Sequence, residues 1–153
     1  MIYKQDTQEH LDEMIDLIQE YMQELNRDLK FQDIQQELND LSHKYLPPYG
    51  HIIMAFDNHQ AIGCIALHKH SDTRCEMKRL FVKKEYRAHK IGYELIQRLL
   101  ILAKQDGYQE MVLDTIEPLK SAIHLYHQLG FYEIDAYYDN PMNDVIYMKK
   151  DLI

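Results

Sequence analysis

The sequence predicts an α/β fold in which helices flank a mixed, mostly antiparallel sheet. Two observations predict it. Helical periodicity of apolar residues runs through 11–45, whereas strand-like runs separated by turn residues occupy most of 51–152. Within the second region, two segments of helical spacing follow strands, and the first of them forms a crossover typical of a parallel βαβ unit. The 153 residues contain no repeat or linker, so we expect one domain, 1–153.

The N-terminal part predicts one strand and two helices. IYK (2–4) is a short strand, and Asp6 followed by Glu9 predicts a capping box before the first helix. The apolar face of that helix consists of Leu11, Met14, Ile15, Ile18, Met22 and Leu25. The second helix uses Ile34, Leu38, Leu41 and Tyr45, and Pro47 and Pro48 end it.

The middle of the chain predicts a hairpin and a parallel strand pair. HIIMAF (51–56) and AIGCIALH (61–68) flank the turn DNHQ (57–60), and CEMKRLFV (75–82) is a third strand. A helix begins near Gly92 and ends before Gly107, and MVLDT (111–115) then returns beside CEMKRLFV.

A short helix and a second hairpin end the chain. SAIHLYHQLG (121–130) is helical and stops at Gly130, a favourable residue after a helix end. FYEIDAYY (131–138) and DVIYMKKDL (144–152) are strands around DNPMN (139–143). The predicted order is β-α-α-β-β-β-α-β-α-β-β.

Composition narrows the class of protein. The formal net charge is −8, which disfavours a broad nucleic-acid surface. No apolar run approaches the roughly 20 residues of a membrane span, and the N-terminus is polar, so we expect no membrane segment and no signal peptide. Cys64 and Cys75 form no CxxC pair, which favours reduced thiols and a cytoplasmic protein.

The positive charge is concentrated in one segment. Six cations face one anion, Glu85, within residues 78–90, a local charge of +5. The six are Lys78, Arg79, Lys83, Lys84, Arg87 and Lys90. A compact polyanion is one ligand that this segment suits; a solvated charged loop is the other interpretation.

The same segment is a strand, a loop and a helix start, a favourable arrangement for phosphate. Unpaired N–H groups and a partial positive charge lie at a helix N-terminus, and phosphate oxygens satisfy both. Gly92 permits close approach of a ligand, and Arg87 is able to contact phosphate with two N–H groups.

Three motifs then resemble the GNAT superfamily of acetyl-CoA-dependent N-acetyltransferases. RAHKIG (87–92) is similar to the family signature R/Q-x-x-G-x-G/A, EMKRLFV (76–82) to its preceding strand, and LYHQLGF (125–131) to its later L-Y-x-x-x-G-F motif. CEMKRL, LDT and YYDNP look like a group of small bacterial members. The order of elements matches as well, so the resemblance covers essentially the whole chain.

The resemblance implies a binding site for acetyl-CoA, the co-substrate, in a gap where the two parallel strands splay apart. The N–H groups of residues 87–92 would bind the pyrophosphate, the pantetheine arm would lie along residues 80–82, and Tyr126 is the catalytic tyrosine. The implied cofactor-binding residues are Leu80, Phe81, Val82, Arg87, Ala88, His89, Lys90, Ile91, Gly92, Tyr93 and Tyr126.

Two residues depart from the family pattern. Lys90 replaces the first glycine of the signature, where a left-handed backbone would cost on the order of 1 kcal/mol. Leu119 stands where many members have an asparagine that contacts the cofactor. The lysine at position 90 keeps the backbone N–H donor, whereas the leucine at position 119 removes one expected contact with the cofactor.

The chemistry requires a proton acceptor for the amine and a donor for the thiolate. Glu76 is the candidate acceptor, although a strand glutamate paired with a lysine is an equal alternative; as a base it needs burial or a water relay. Tyr126 is the candidate acid, because a phenol of pKa near 10 is protonated at neutral pH, and a core tyrosine is the alternative.

Other residues are candidates for acceptor binding. Tyr137, Tyr138 and Asn140 belong to the last hairpin, which borders the acceptor site in the family, and Tyr49 follows the double proline. Two histidine pairs, His68 with His70 and His124 with His127, lack a third ligand at a suitable spacing, so we expect no metal.

The leading hypothesis is an N-acetyltransferase that acts on a primary amine of a small molecule or peptide in a ternary complex. The acidic chain favours a cationic acceptor such as a polyamine, amino acid or aminoglycoside-like amine, and disfavours RNA. A CoA-binding sensor without turnover and a protein lysine acetyltransferase are the alternatives. Because the family is often dimeric, a homodimer is one expectation.

Overall fold

The computed structural model describes residues 1–26 and 34–153, whose strands form one seven-stranded sheet. The strands are β1 (Ile2–Gln5), β2 (Gly50–Asp57), β3 (Gln60–Lys69), β4 (Arg74–Val82), β5 (Glu110–Ile116), β6 (Tyr132–Ile134) and β7 (Val145–Asp151). Their order across the sheet is β1-β2-β3-β4-β5-β7-β6, and only β4 and β5 pair in parallel. The predicted fold class is confirmed.

Helices cover both faces of the sheet. They are α1 (Leu11–Leu25), α2 (Ile34–Asn39), α3 (Leu41–Tyr45), α4 (Ile91–Gln105) and α5 (Lys120–Gln128). One core lies between the sheet and α4–α5, and Cys75 and Met77 of β4 belong to it. The other core lies against α1–α3. Since side chains alternate along a strand, Glu76 and Lys78 point to the α1 side.

The predicted capping box at the N-terminus is wrong. Asp6 has a left-handed backbone, with φ of 53°, and its carboxylate accepts the N–H of Ile52 at 2.7 Å and lies 2.7 Å from Nδ1 of His51. A short 3-10 turn, Gln8–His10, leads into α1 instead. The Asp6 side chain, which the local sequence assigns to the helix cap, instead makes tertiary contacts with β2.

The predicted second helix is two helices. Asp40 interrupts it, and its carboxylate accepts the N–H of His43 at 3.2 Å, which caps α3. The helix ends at Tyr45, as the following prolines predict. The described residues therefore contain one more α-helix than the predicted order.

The two hairpins differ in how closely they follow the prediction. Asn58 and His59 both have positive φ, as a two-residue turn of type I′ requires, and they join β2 to β3. In the second hairpin, β6 pairs with β7 over Tyr132–Ile134 alone. The prediction of a strand through Tyr138 is wrong because Tyr137 and Tyr138 leave the sheet for the carboxylates of Glu76 and Asp114.

The parallel pair separates after three residues. β4 and β5 pair from Arg74 to Glu76, opposite Glu110 to Val112, and diverge beyond that point. A bulge in β4 at Arg79, with φ of 61°, accompanies the divergence. The sheet therefore opens at its centre, as predicted. Among the described residues, no helix is both long and apolar enough to cross a membrane.

Candidate active site

One continuous cavity occupies the gap between β4 and β5. Its volume is about 1240 Å³, and it extends from the N-terminus of α4, past α5, to α1. Leu80, Phe81 and Val82 of β4 line it, as do Asp114 of β5 and Tyr126 of α5. The strand, the loop and the helix that the sequence singles out thus border a single space.

A run of unpaired N–H groups borders the cavity at the start of α4. Within the described residues, Ala88 to Tyr93 donate no backbone N–H to a protein acceptor, and Glu94 is the first to do so, to the carbonyl of Lys90 at 3.0 Å. The N–H of Arg87 is donated to Lys84. The available donors therefore span 88–93, one residue later than the sequence predicts.

The backbone of this loop is left-handed at two non-glycine residues. Ala88 has φ of 67° and Lys90 has φ of 62°, ψ of 19°. Lys90 thus adopts the conformation expected at the glycine that it replaces, at a cost on the order of 1 kcal/mol. Gly92 faces α5, where an added Cβ would lie 3.4 Å from Leu125. His89, unlike its neighbours, does not line the cavity.

Two cations of the segment, Lys83 and Arg87, pair with α1. Arg87 makes a bidentate ion pair with Glu24, at 2.7 Å for both contacts, and also donates to the carbonyl of Val82. Lys83 pairs with Glu20 at 2.8 Å. The bidentate contact that we expect between Arg87 and phosphate is therefore occupied by a carboxylate, and the local charge of +5 is partly neutralised.

Tyr126 is buried on α5 and lines the cavity. Its ring packs edge-on against Phe131, with centroids 5.9 Å apart. Burial raises the pKa of Tyr126 above the ordinary value of a phenol, and Tyr21 and Asp114 raise it further. Its hydroxyl is therefore protonated across the neutral range and makes no hydrogen bond within the described residues, so it is free to donate.

Glu76 is buried, and two side chains bind its carboxylate. The hydroxyl of Tyr137 donates to Oε2 at 2.6 Å, and Nε2 of His70 lies 3.0 Å from Oε1. Burial alone would raise the pKa of Glu76, but the hydrogen bond from His70, the charge of Lys78 and the hydrogen bond from Tyr137 lower it to about 2. Glu76 is therefore ionised at neutral pH.

The predicted acceptor-side residues divide into two groups. Tyr138 donates its hydroxyl to Asp114, a cavity-lining residue, and Asn140 donates to the hydroxyl of Tyr138 at 2.8 Å; Tyr137 packs against Tyr138, and none of these three side chains itself lines the cavity. Tyr49 does not join them. It is exposed, packs against His43 and lines a separate cavity of about 520 Å³ with His68 and His70.

Sequence reasoning did not assign three charged or polar side chains to this site. Lys78 lines the cavity two residues from Glu76, a spacing that places both on one face of a strand. Asp114 and His70 were also not singled out for this site, because their partners lie 24 and 6 residues away. In the described part of the chain, no three His, Cys, Asp or Glu residues form a group suited to a metal ion.

The comparisons with known proteins agree with this geometry. The family model for the Acetyltransferase (GNAT) family matches residues 11–131. This range covers most of the chain, including the cavity-lining residues named above. The chain therefore belongs to the GNAT acetyltransferase family, and it is an acyltransferase enzyme.

Relatives match over nearly the full length. An uncharacterized N-acetyltransferase of Schizosaccharomyces pombe is 41% identical and covers 93% of this chain and 88% of its own. A GNAT acetyltransferase of Staphylococcus aureus has a TM-score of 0.84 at 27% identity, with 99% of both chains covered. The PaiA N-acetyltransferase of Thermoplasma acidophilum, solved with coenzyme A, has a TM-score of 0.72 at 20% identity and covers 99% of both chains.

Proposed function

We propose that the protein transfers the acetyl group of acetyl-CoA to a primary amine of a small molecule or peptide by direct attack in a ternary complex. The observation that carries this proposal is the continuity of the cavity, which joins the unpaired N–H groups of 88–93, the split between β4 and β5, and the hydroxyl of Tyr126. Coenzyme A in the Thermoplasma relative supports the choice of donor.

The N–H groups of 88–93 would hold the pyrophosphate, because they combine unpaired donors with the positive end of the helix dipole. The pantetheine arm would lie along Leu80, Phe81 and Val82, in the gap where β5 no longer pairs with β4. To bind phosphate, Arg87 would have to break its ion pair with Glu24. The loss of free energy is small, because an exposed ion pair contributes only about 0–1 kcal/mol.

In the reaction, the amine nitrogen attacks the thioester carbonyl, a C–N bond forms, and the C–S bond breaks. Tyr126 donates its proton to the departing sulfur, which yields free CoA, and the phenolate then takes a proton back from water. The amine also loses a proton. We assign its acceptance to Glu76 acting through water, because the carboxylate is ionised at neutral pH but, with a pKa of about 2, is too weak a base to take the proton directly and does not itself line the cavity.

A base with a pKa of about 2 holds a proton only briefly. The proton therefore passes on to water, and the second cavity, where His70 lies beside Glu76, provides the route. Glu76 also fixes the hydroxyl of Tyr137 through their hydrogen bond.

A CoA-release assay over a panel of amines tests the proposal. We expect Tyr126→Phe and Glu76→Gln each to lower kcat by about 10² or more, because each removes a proton-transfer group while leaving its shape. Acetyl-CoA binding should change little in either variant. Tyr132→Phe is the matched control, since Tyr132 is exposed, does not line the cavity, donates its hydroxyl to Asp151 and has the Lys149 ammonium over its ring.

Two results would count against this assignment. An unchanged rate for Tyr126→Phe would remove the proposed acid. Tight acetyl-CoA binding by the wild type without turnover on any amine would favour a CoA sensor in place of an enzyme acting on free amines.

A further inference from the structure

Lys78 is a buried cation in the wall of the cavity. Its side chain is 10% exposed, and it lies on the α1 side of β4 with Glu76. Within the described residues, its nearest carboxylate oxygen belongs to Glu76, at 3.9 Å. That separation exceeds the 2.7–2.9 Å or so of a charge-assisted hydrogen bond.

The carboxylates around Lys78 are already engaged elsewhere. Glu76 is bound by His70 and Tyr137, as described above, and Asp114 accepts the hydroxyl of Tyr138. On the same side, Glu37 accepts from Arg79 at 2.7 and 3.0 Å and from Lys44 at 3.0 Å. Lys78 therefore faces the cavity with N–H donors that no close carboxylate occupies.

Such a lysine is poised to bind an anion. An ammonium group that is taken out of water requires hydrogen-bond acceptors, and it gains most from an ionised one. Burial and the charge of Arg79 lower the pKa of Lys78, while Glu76 and Asp114 oppose that shift. A carboxylate placed against Lys78 would supply the missing acceptor and favour the protonated form.

We propose that Lys78 binds a carboxylate of the acceptor, so that the substrate is an amino acid or another small amine that carries a carboxylate. This inference rests on the proposed function and specifies its substrate class. The net charge of −8 on the chain attracts cations from a distance, but screening confines such attraction to about 8 Å at physiological salt. The group in contact with the ligand, Lys78, then decides which amine binds.

The remaining wall fits a small aliphatic acceptor. Tyr21 and Leu25 of α1 and Met142 of the last loop contribute apolar surface to the same cavity. A cation whose donors no close carboxylate occupies, in a cavity that also has apolar walls, fixes the orientation of a short chain that has a carboxylate at one end and an amine at the other.

Matched pairs of acceptors test the inference: lysine against cadaverine, and ornithine against putrescine, which differ by the carboxylate. We expect the wild type to use the carboxylated member at least tenfold better in kcat/KM. Lys78→Met keeps the length and apolar stem of the side chain, and it should bring the ratio within each pair close to one. The control, Lys104→Met, removes an exposed lysine at the end of α4 and should keep the wild-type ratio.

Calorimetric binding of the same amines to the protein saturated with CoA gives an answer that needs no turnover. We expect the carboxylated members to bind the wild type at least tenfold more tightly than Lys78→Met. Equal use or equal binding of both members by the wild type would overturn the inference, and so would a preference that survives in Lys78→Met. Binding with the expected preference, but without acetyl transfer, would count against the proposed function and leave the carboxylate site standing.

Discussion

At residue 90, a lysine has the left-handed backbone that glycine adopts at lower cost. The same lysine closes the loop before α4, and its carbonyl accepts the first N–H that the helix donates. Two roles are open to the residue: a strained link in the loop, or a side chain that contacts phosphate. A variant that relieves the backbone strain and a variant that removes only the side chain distinguish these two roles.

We predict that Lys90→Gly raises the free energy of unfolding by up to about 1 kcal/mol, because it relieves the left-handed strain. Acetyl-CoA affinity should stay within about tenfold, roughly 1.4 kcal/mol. Denaturant unfolding and calorimetry measure the two effects. Lys90→Ala is the matched variant, since it removes the side chain and keeps the strain. A loss of more than tenfold in both variants would show that the ammonium group belongs to the binding site.

Single residues differ in how well the sequence reveals their role. The sequence predicts Tyr126 from a motif, and the structure gives it a buried position in the cavity wall. Glu76 was also selected, but its state depends on Tyr137, which is 61 residues away. Burial would have raised its pKa, and only the two bound partners and Lys78 reverse the direction.

At the scale of elements, pairing between helix and loop was the least predictable feature. The charge pattern of residues 78–90 suggests a free cationic surface, yet Glu20 and Glu24 of α1 neutralise Lys83 and Arg87. Those glutamates lie 63 residues before their partners. Strand and helix identities followed from local periodicity, whereas the break at Asp40 and the short β6 resulted from contacts between elements.

One such contact joins three elements and predicts a pH effect. His51 of β2 lies 2.7 Å from Asp6, which follows β1, and 2.6 Å from Asp106 at the end of α4. The hydrogen bond with Asp6 raises the pKa of His51, burial opposes that shift, and Asp106 adds to it. The fold therefore favours protonated His51.

A raised pKa stabilises the fold below the unfolded value of about 6.5. That stabilisation is lost as the pH rises through the folded value. We predict that Tm falls between pH 6 and pH 9, and that His51→Gln reduces this fall, as followed by thermal unfolding. His127→Gln, which replaces an exposed histidine, should retain it. An identical fall in His51→Gln would show that the contact contributes nothing to the pH dependence.

At the scale of the whole molecule, charge is organised by position. The chain is acidic overall, but unpaired N–H groups border the cavity at the start of α4, and the buried cation Lys78 lies in its wall. Sequence composition predicts the total charge, and an acidic total favours a cationic acceptor. The local arrangement, which only the fold reveals, favours anions at both places.

Hydrogen exchange of the backbone amides, with and without acetyl-CoA, tests the central claim most directly. Phosphate oxygens bound to the N–H groups of 88–93 should slow their exchange by about tenfold or more, and the pantetheine arm should protect residues 80–82. The hairpin of β2 and β3 provides an internal reference. Protection confined to these segments is the result that we predict. Acetyl-CoA binding that leaves 88–93 exchanging as in the free protein, or no binding at all, would contradict the claim that this loop holds the cofactor.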